Sequence, residues 1–205
     1  MSFSGFTAQE FEVFGIPGLE ERMDALRTFV QPKFKEIGQA LVGDISALIG
    51  EEFYVHIAKH ARRKVNPPND SWLSFATSPR GYKMLPHFQI GLWSTHAFIQ
   101  FAIIYECARK EEFGEKLLEH WASIRGQIPD DYIWYDDHIK PHPYPHGDVG
   151  TQIGKLAERL IKHKNSELLC GIQIPRQEAV KMTGQEFYEK AYETIKTLVP
   201  LYKLL

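Results

Sequence analysis

The chain has 205 residues, with 43% hydrophobic and 24% charged residues, a formal net charge of −2 and a pI near 6.5. That composition is ordinary for a soluble globular domain. It argues against a general nucleic-acid coat, whose pI usually exceeds about 9.

The N-terminal Thr7-Ala8-Gln9-Glu10 is a capping box that predicts a short helix over about 7–13. Gly15-Ile16-Pro17-Gly18 breaks it. Leu19, Met23, Leu26, Val30, Phe34, Ile37 and Leu41 then recur at helical spacing, with Pro32 set to kink or restart the helix. From residue 52 the period changes to two. Phe53, Val55 and Ile57 alternate with Tyr54, His56 and Ala58, the pattern of a strand. Asn66-Pro67-Pro68-Asn69-Asp70 is a rigid polar loop. Strands are predicted over 72–77, 87–93 and about 96–106. Their short connections leave no room for crossover helices, so the four strands read as an antiparallel meander.

A helix over 111–125 follows, then an aromatic strand at 132–135 and a proline-rich loop at 140–147. A helix from Val149, a strand over 168–174 and a second capping box, Thr183-Gly184-Gln185-Glu186, lead into a C-terminal helix. No repeat or linker divides the chain. The expected fold is a single α+β domain over residues 1–205: a mostly antiparallel sheet of about six strands flanked by four main helices, near 19–41, 111–125, 149–164 and 183–199. Cys107 and Cys170 lie in apolar, strand-like runs and form no C-x-x-C pair. They read as reduced, buried thiols of a cytoplasmic protein. The N-terminus has no leader pattern, and no apolar run approaches the roughly 20 residues of a membrane span.

The candidate chemistry begins in the middle of the chain. Between His56 and Lys83 stand six basic residues, Lys59, Arg62, Arg63, Lys64, Arg80 and Lys83, against one acid, Asp70. The flanks, residues 1–55 and 106–137, each sum to −5. A cationic strip between acidic flanks suggests an anion site. Arginine suits it, because its planar fork stays charged and matches phosphate and carboxylate. In a simple meander the loops at 62–71 and 78–85 lie at opposite ends of a strand roughly 20 Å long. Unless a loop folds back, Lys59, His60, Arg62 and Arg63 form one cluster and Arg80, Tyr82 and Lys83 another. The plain alternative is a set of solvated charges pairing with the acidic helices.

The polar face of the strands is a second candidate. If the first and third strands pair, Tyr54, His56, His87, Gln89 and Trp93 share a surface that Gln100 and Gln173 can join. His87, with a pKa near neutrality, and His60 are the candidate general bases. The plain alternative is a wet amphipathic sheet, or buried His and Gln satisfied by neighbours. The loop with Asp136, Asp137, His138, His142, His146 and Asp148 has the right residue types for a metal. Its spacing of four on a proline-rich chain does not make ligands converge, and a packed surface loop is expected. His56 and His60 on one strand would stand about 13 Å apart, too far to chelate. No cofactor motif is present.

The motifs Lys59-His60-Ala61-Arg62-Arg63, Asn66-Pro67-Pro68, Asp70-Ser71-Trp72, Arg80-Gly81-Tyr82-Lys83 and Pro86-His87-Phe88-Gln89-Ile90-Gly91-Leu92-Trp93 resemble the YktB-like family of uncharacterised proteins from Bacillus-type bacteria. The likeness covers nearly the whole chain, including Phe6-Thr7-Ala8-Gln9. It implies a cytosolic α+β domain with no assigned activity and no catalytic residues to carry over.

The expected function is therefore a module binding a small anionic or phosphorylated ligand. Lys59, Arg62 and Arg63 would supply charge, while His87, Gln89 and Trp93 shape the pocket. The first alternative is a hydrolase or transferase with a histidine base. The second is a protein or nucleic-acid interaction module, with nucleic acid disfavoured by the charge balance and no membrane partner.

Overall fold

A computed structural model describes residues 2–138, 143–150 and 152–205. The N-terminal capping box forms: the Thr7 side chain accepts from the Gln9 N–H at 3.3 Å, and the Thr7 N–H donates to Glu10 Oε2 at 2.6 Å, opening α1 (Ala8–Glu12). After Gly18 come α2 (Leu19–Ala25) and α3 (Gln31–Ile49), joined by one π-helical turn, Leu26–Val30. Pro32 lies in the first turn of α3, where its missing N–H has no intrahelical partner to lose, so it restarts the helix. The apolar stripe Leu26, Val30, Phe34, Ile37, Leu41 and Ile45 is completely buried. Gly50, at φ +86°, closes α3 by donating to Ser46 O at 2.8 Å.

Four strands follow in chain order: β1 (Tyr54–Ile57), β2 (Asp70–Ala76), β3 (His87–Trp93) and β4 (His96–Ile103). They form the expected antiparallel meander. Then come α4 (Lys110–Arg125), β5 (Ile133–Tyr135), β6 (Tyr144–Pro145), α5 (His146–Val149), α6 (Ile153–Lys162), β7 (Leu168–Pro175), α7 (Arg176–Ala179) and α8 (Gly184–Tyr202). The sheet has seven strands in the order β1-β2-β3-β4-β7-β5-β6, with every pairing antiparallel.

Several expectations change. The sheet gains β6 from the stretch expected to be a loop, because Tyr144 and Pro145 pair with Trp134 and Ile133. The four expected helices gain short companions. β1 and β3 do not pair, since β2 lies between them. Cys170 is on β7, but Cys107 is in the turn before α4, its N–H donating to Ile104 O at 2.8 Å; both are buried, free thiols. His142 of the histidine-rich loop lies outside the described residues. Among the described residues no helix is long and apolar enough to cross a membrane.

Alternation along the strands divides the sheet into two unlike faces. Leu73, Phe75, Phe88, Ile90, Ile99, Phe101, Cys170 and Ile172 join one apolar core with Phe34, Ile37 and Leu41 of α3 and Phe187, Ile195 and Leu198 of α8. Residues one step away in each strand point to the other face. The register sets His56, Ser74, Gln89, Gln100 and Gly171 in one row across it. Trp72, Gly91, Phe98 and Gln173 form the next row. A Cβ on Gly91 would stand 2.1 Å from Phe98 Cζ, so glycine there lets the Phe98 ring lie across the sheet.

Candidate functional site

The polar face is built over by two loops. The chain after β1 stays beside β2 for one more hydrogen bond, Ala58 N–H to Trp72 O at 2.9 Å. It then turns at His60, whose φ of +49° lies in the left-handed region rarely entered by non-glycine residues. Arg63 N–H donates to His60 O at 3.0 Å and closes the turn. Further on, buried Arg22 of α2 donates to Pro68 O at 2.8 Å and to Ile16 O at 2.6 Å, tying the proline loop to the helical layer.

The second loop, 77–86, folds back over the same face. His56 Nε2 lies 2.8 Å from Ser78 O. The Tyr82 ring packs on His56 and His87 at 5.6 and 4.9 Å between centroids, and its hydroxyl accepts from Trp72 Nε1 at 3.0 Å. This folding back overturns the separation into two basic clusters. Lys59, His60, Arg62, Arg63, Arg80, Tyr82 and Lys83 all line one cleft of about 520 Å³, walled by Trp72. Lys59, Arg62, Arg63 and Arg80 are exposed, while His60 and Lys83 are half-buried. Glu106, beyond β4, faces both loops, 3.6 Å from Arg62 Nη1 and 3.2 Å from Lys83 Nζ. Arg62 in these pairs is exposed, whereas Lys83 and Glu106 are half-buried and Glu106 Oε2 is itself buried.

His87 does not join this cleft. It is fully buried, with Nδ1 2.8 Å from Leu85 O and Nε2 2.8 Å from the Gln89 amide. Gln100 Nε2 donates to Gln89 Oε1 at 2.8 Å. The chain of partners fixes one tautomer: Nδ1–H donates to Leu85 O, and Nε2 accepts from Gln89. Burial pushes the imidazole down to about 4, against the raising influence of the Leu85 carbonyl and of Glu167. The pKa near neutrality expected for His87 is therefore corrected, and neither ring nitrogen is open to a ligand. His60 is also held near 4, by burial and then by Arg63 and Lys83, with Nε2 3.1 Å from Ser71 Oγ.

Gln89 and Trp93 line a separate hollow of about 20 Å³, shared with Asp70, Trp72, Gln100 and His138. It has room for a single water. Burial raises the Asp70 carboxyl to about 6, although His138 and Arg63 oppose the shift.

His138 also borders a third hollow, about 430 Å³, with Asp137, Glu167, Tyr105 and Asn165. Its backbone N–H donates to Glu167 Oε2 at 3.1 Å, and Nδ1 lies 2.6 Å from the same oxygen. Its ring meets Trp72 edge-on at 6.0 Å; Trp72 borders the first two hollows and His138 the last two. Burial disfavours the imidazolium, but the Glu167 hydrogen bond and the charges of Glu167, Asp70 and Asp137 outweigh it and raise the pKa. His146 points elsewhere. It is buried against Trp134, accepting from Trp134 Nε1 at 3.0 Å, with Nε2 3.1 Å from Arg125 O. Sequence reasoning missed Glu167 and Glu106. A lone acid in the turn after β4 or just before β7 carries no periodic or spacing signal, and only the tertiary fold brings either one to its partners.

A family model described as a domain of unknown function, DUF1054, matches residues 6–202. UPF0637 proteins of Bacillus cytotoxicus, Bacillus mycoides and Bacillus cereus are each 48% identical to the chain over 205 residues, covering all of it and 99% of their own length. The chain belongs to the DUF1054 family of uncharacterised proteins.

Proposed function

We propose that the chain is a binding module for a small anionic, phosphorylated ligand, held in the cleft between the 58–69 and 77–86 loops. One observation carries this reading. Five Lys or Arg side chains from two loops, Lys59, Arg62, Arg63, Arg80 and Lys83, surround a single cleft walled by Trp72 and Tyr82. Its volume falls within the roughly 300–1,000 Å³ of small-molecule sites. Forked guanidinium donors match phosphate oxygens, and the aromatic walls offer flat apolar area to a ring. His60, neutral at pH 7 and already bonded to Ser71, supports shape rather than charge. Gln89 and Trp93 act next door, in the smaller hollow behind Trp72.

The hydrolase or transferase reading lacks a base at both positions first considered, because His60 and His87 are held near 4 and are engaged by neighbours. Thermal-shift measurement against nucleotides, sugar phosphates and polyphosphates tests the proposal. At 100 times Kd a ligand adds about 2.7 kcal/mol, or roughly 5–10 °C for a domain of this size. One class should shift the wild type and lose its effect in Arg62→Ala/Arg63→Ala. A panel without any shift rejects the reading. Binding of polynucleotide with a steep salt dependence would favour the interaction-module alternative instead.

A further inference from the structure

We infer that Asp137, His138 and Glu167 form a site for a divalent transition-metal ion. One ligand atom from each residue lies within 4.8 Å of the other two. The three come from two separate parts of the chain, Asp137-His138 after β5 and Glu167 just before β7, and meet at the wall of a hollow open to solvent. Glu167 carries the argument. Its carboxylate is almost completely buried, at 4% exposure. Its partners among the described residues are the backbone N–H groups of His138 and Tyr105 and the His138 ring; no Lys or Arg pairs with it there. The His138 ring is the one side-chain cation beside it among the described residues, and a metal ion bound there takes the place of the proton that the ring shares with Oε2.

The backbone donors orient Glu167 towards His138, as supporting groups orient the ligands of metal sites. Asp137 and the buried Asp70 carboxyl add negative charge around the same imidazole. One imidazole nitrogen with two carboxylates is the donor set of Zn²⁺, Mn²⁺ and Co²⁺, whereas Ca²⁺ and Mg²⁺ prefer oxygen alone. Two ligand atoms on one ion stand about 3.0–3.4 Å apart when each bond is near 2.1 Å. The 2.6 Å contact between Nδ1 and Oε2 must therefore open by about half an ångström to admit the ion. Tyr105 and Asn165 line the same hollow. The inference is independent of the anion cleft and stands or falls separately from it.

The test is titration of the metal-stripped full chain with Co²⁺ and Zn²⁺, by calorimetry and by the Co²⁺ visible spectrum, at pH 7. One ion per chain is expected. His138→Ala, Asp137→Asn and Glu167→Gln should each weaken binding more than about ten-fold, and His120→Ala, an exposed histidine on α4, should leave it unchanged. Circular dichroism checks folding. Because Asp137 is only half-buried, its variant keeps the test decisive if Glu167→Gln disturbs the core. No uptake, uptake indifferent to the Asp137 and His138 variants, or a preference for Ca²⁺ over Zn²⁺ would each overturn the inference.

Discussion

The two faces of the sheet obey different rules. The face under α3 and α8 is closed by regular elements whose apolar residues recur at fixed spacing. Among the described residues the opposite face carries a small apolar cluster, Ala102, Ile104, Tyr135 and Leu169, besides the rings of Trp72, Tyr82 and Phe98. Its remaining cover comes from irregular loops and a hydrogen-bonded polar chain. The first face holds the fold together through burial. The second gathers charge and hollows that contribute little to stability, which is where a binding function fits.

The largest expected contrast lies between neighbours on β3. Phe88 is fully buried among Phe53, Phe101 and Tyr202. Phe88→Ala should cost about 3–5 kcal/mol in urea unfolding. Gln89→Ala, on the other face, leaves His87 Nε2 and the Gln100 amide without their partner and should cost about 1–3 kcal/mol. Equal losses would mean that both faces are core, and the comparison would break.

Acid sharpens it next. His87 has a folded pKa of about 4, below the ordinary 6.5, so the folded state binds fewer protons than the unfolded chain between those values. The contribution is fully present above about pH 6.5 and is lost as pH falls towards 4, by roughly 3 kcal/mol at most. His60 and His96, also near 4, act in the same direction. Asp70, raised to about 6, opposes them. His87→Gln should therefore flatten the stability–pH profile between pH 6.5 and 4 relative to wild type, and an unchanged slope would contradict the buried, neutral imidazole. The smallest stability effect should come from the cleft. Arg62→Ala and Arg63→Ala should each change unfolding free energy by less than about 0.5 kcal/mol, because both side chains are exposed.

The same contrast explains what the sequence disclosed. Repeating patterns located β3 at His87–Trp93, and both capping boxes sit at helix starts with Glu10 and Glu186 in their reciprocal roles. The meander followed from loop length. The two-residue β6 escaped notice because Tyr144-Pro145 is too short for a period, and its pairing partners lie ten and twelve residues earlier. The composition of the basic strip was plain, but its convergence was not. That depends on the Tyr82–Trp72 hydrogen bond and on the left-handed turn at His60, which loop spacing does not encode. His87 looked like a base because alternation placed it on the polar face, yet alternation says nothing about the loop that seals it there. Glu167 reaches His138 across 29 positions of chain, beyond the range of a local motif.

The central claim is that the cationic cleft takes a phosphorylated ligand, and ³¹P NMR titration of the full chain with the class that shifts its melting temperature tests it most directly. The account predicts saturable broadening or shift of the phosphorus resonance with wild type. In Arg62→Ala/Arg63→Ala the effect should be lost, because each charge-assisted hydrogen bond is worth about 1.5–3 kcal/mol, while Gln89→Ala, once shown to be folded, should retain it. A phosphorus signal unmoved by wild type, or moved equally by the double arginine variant, would contradict it.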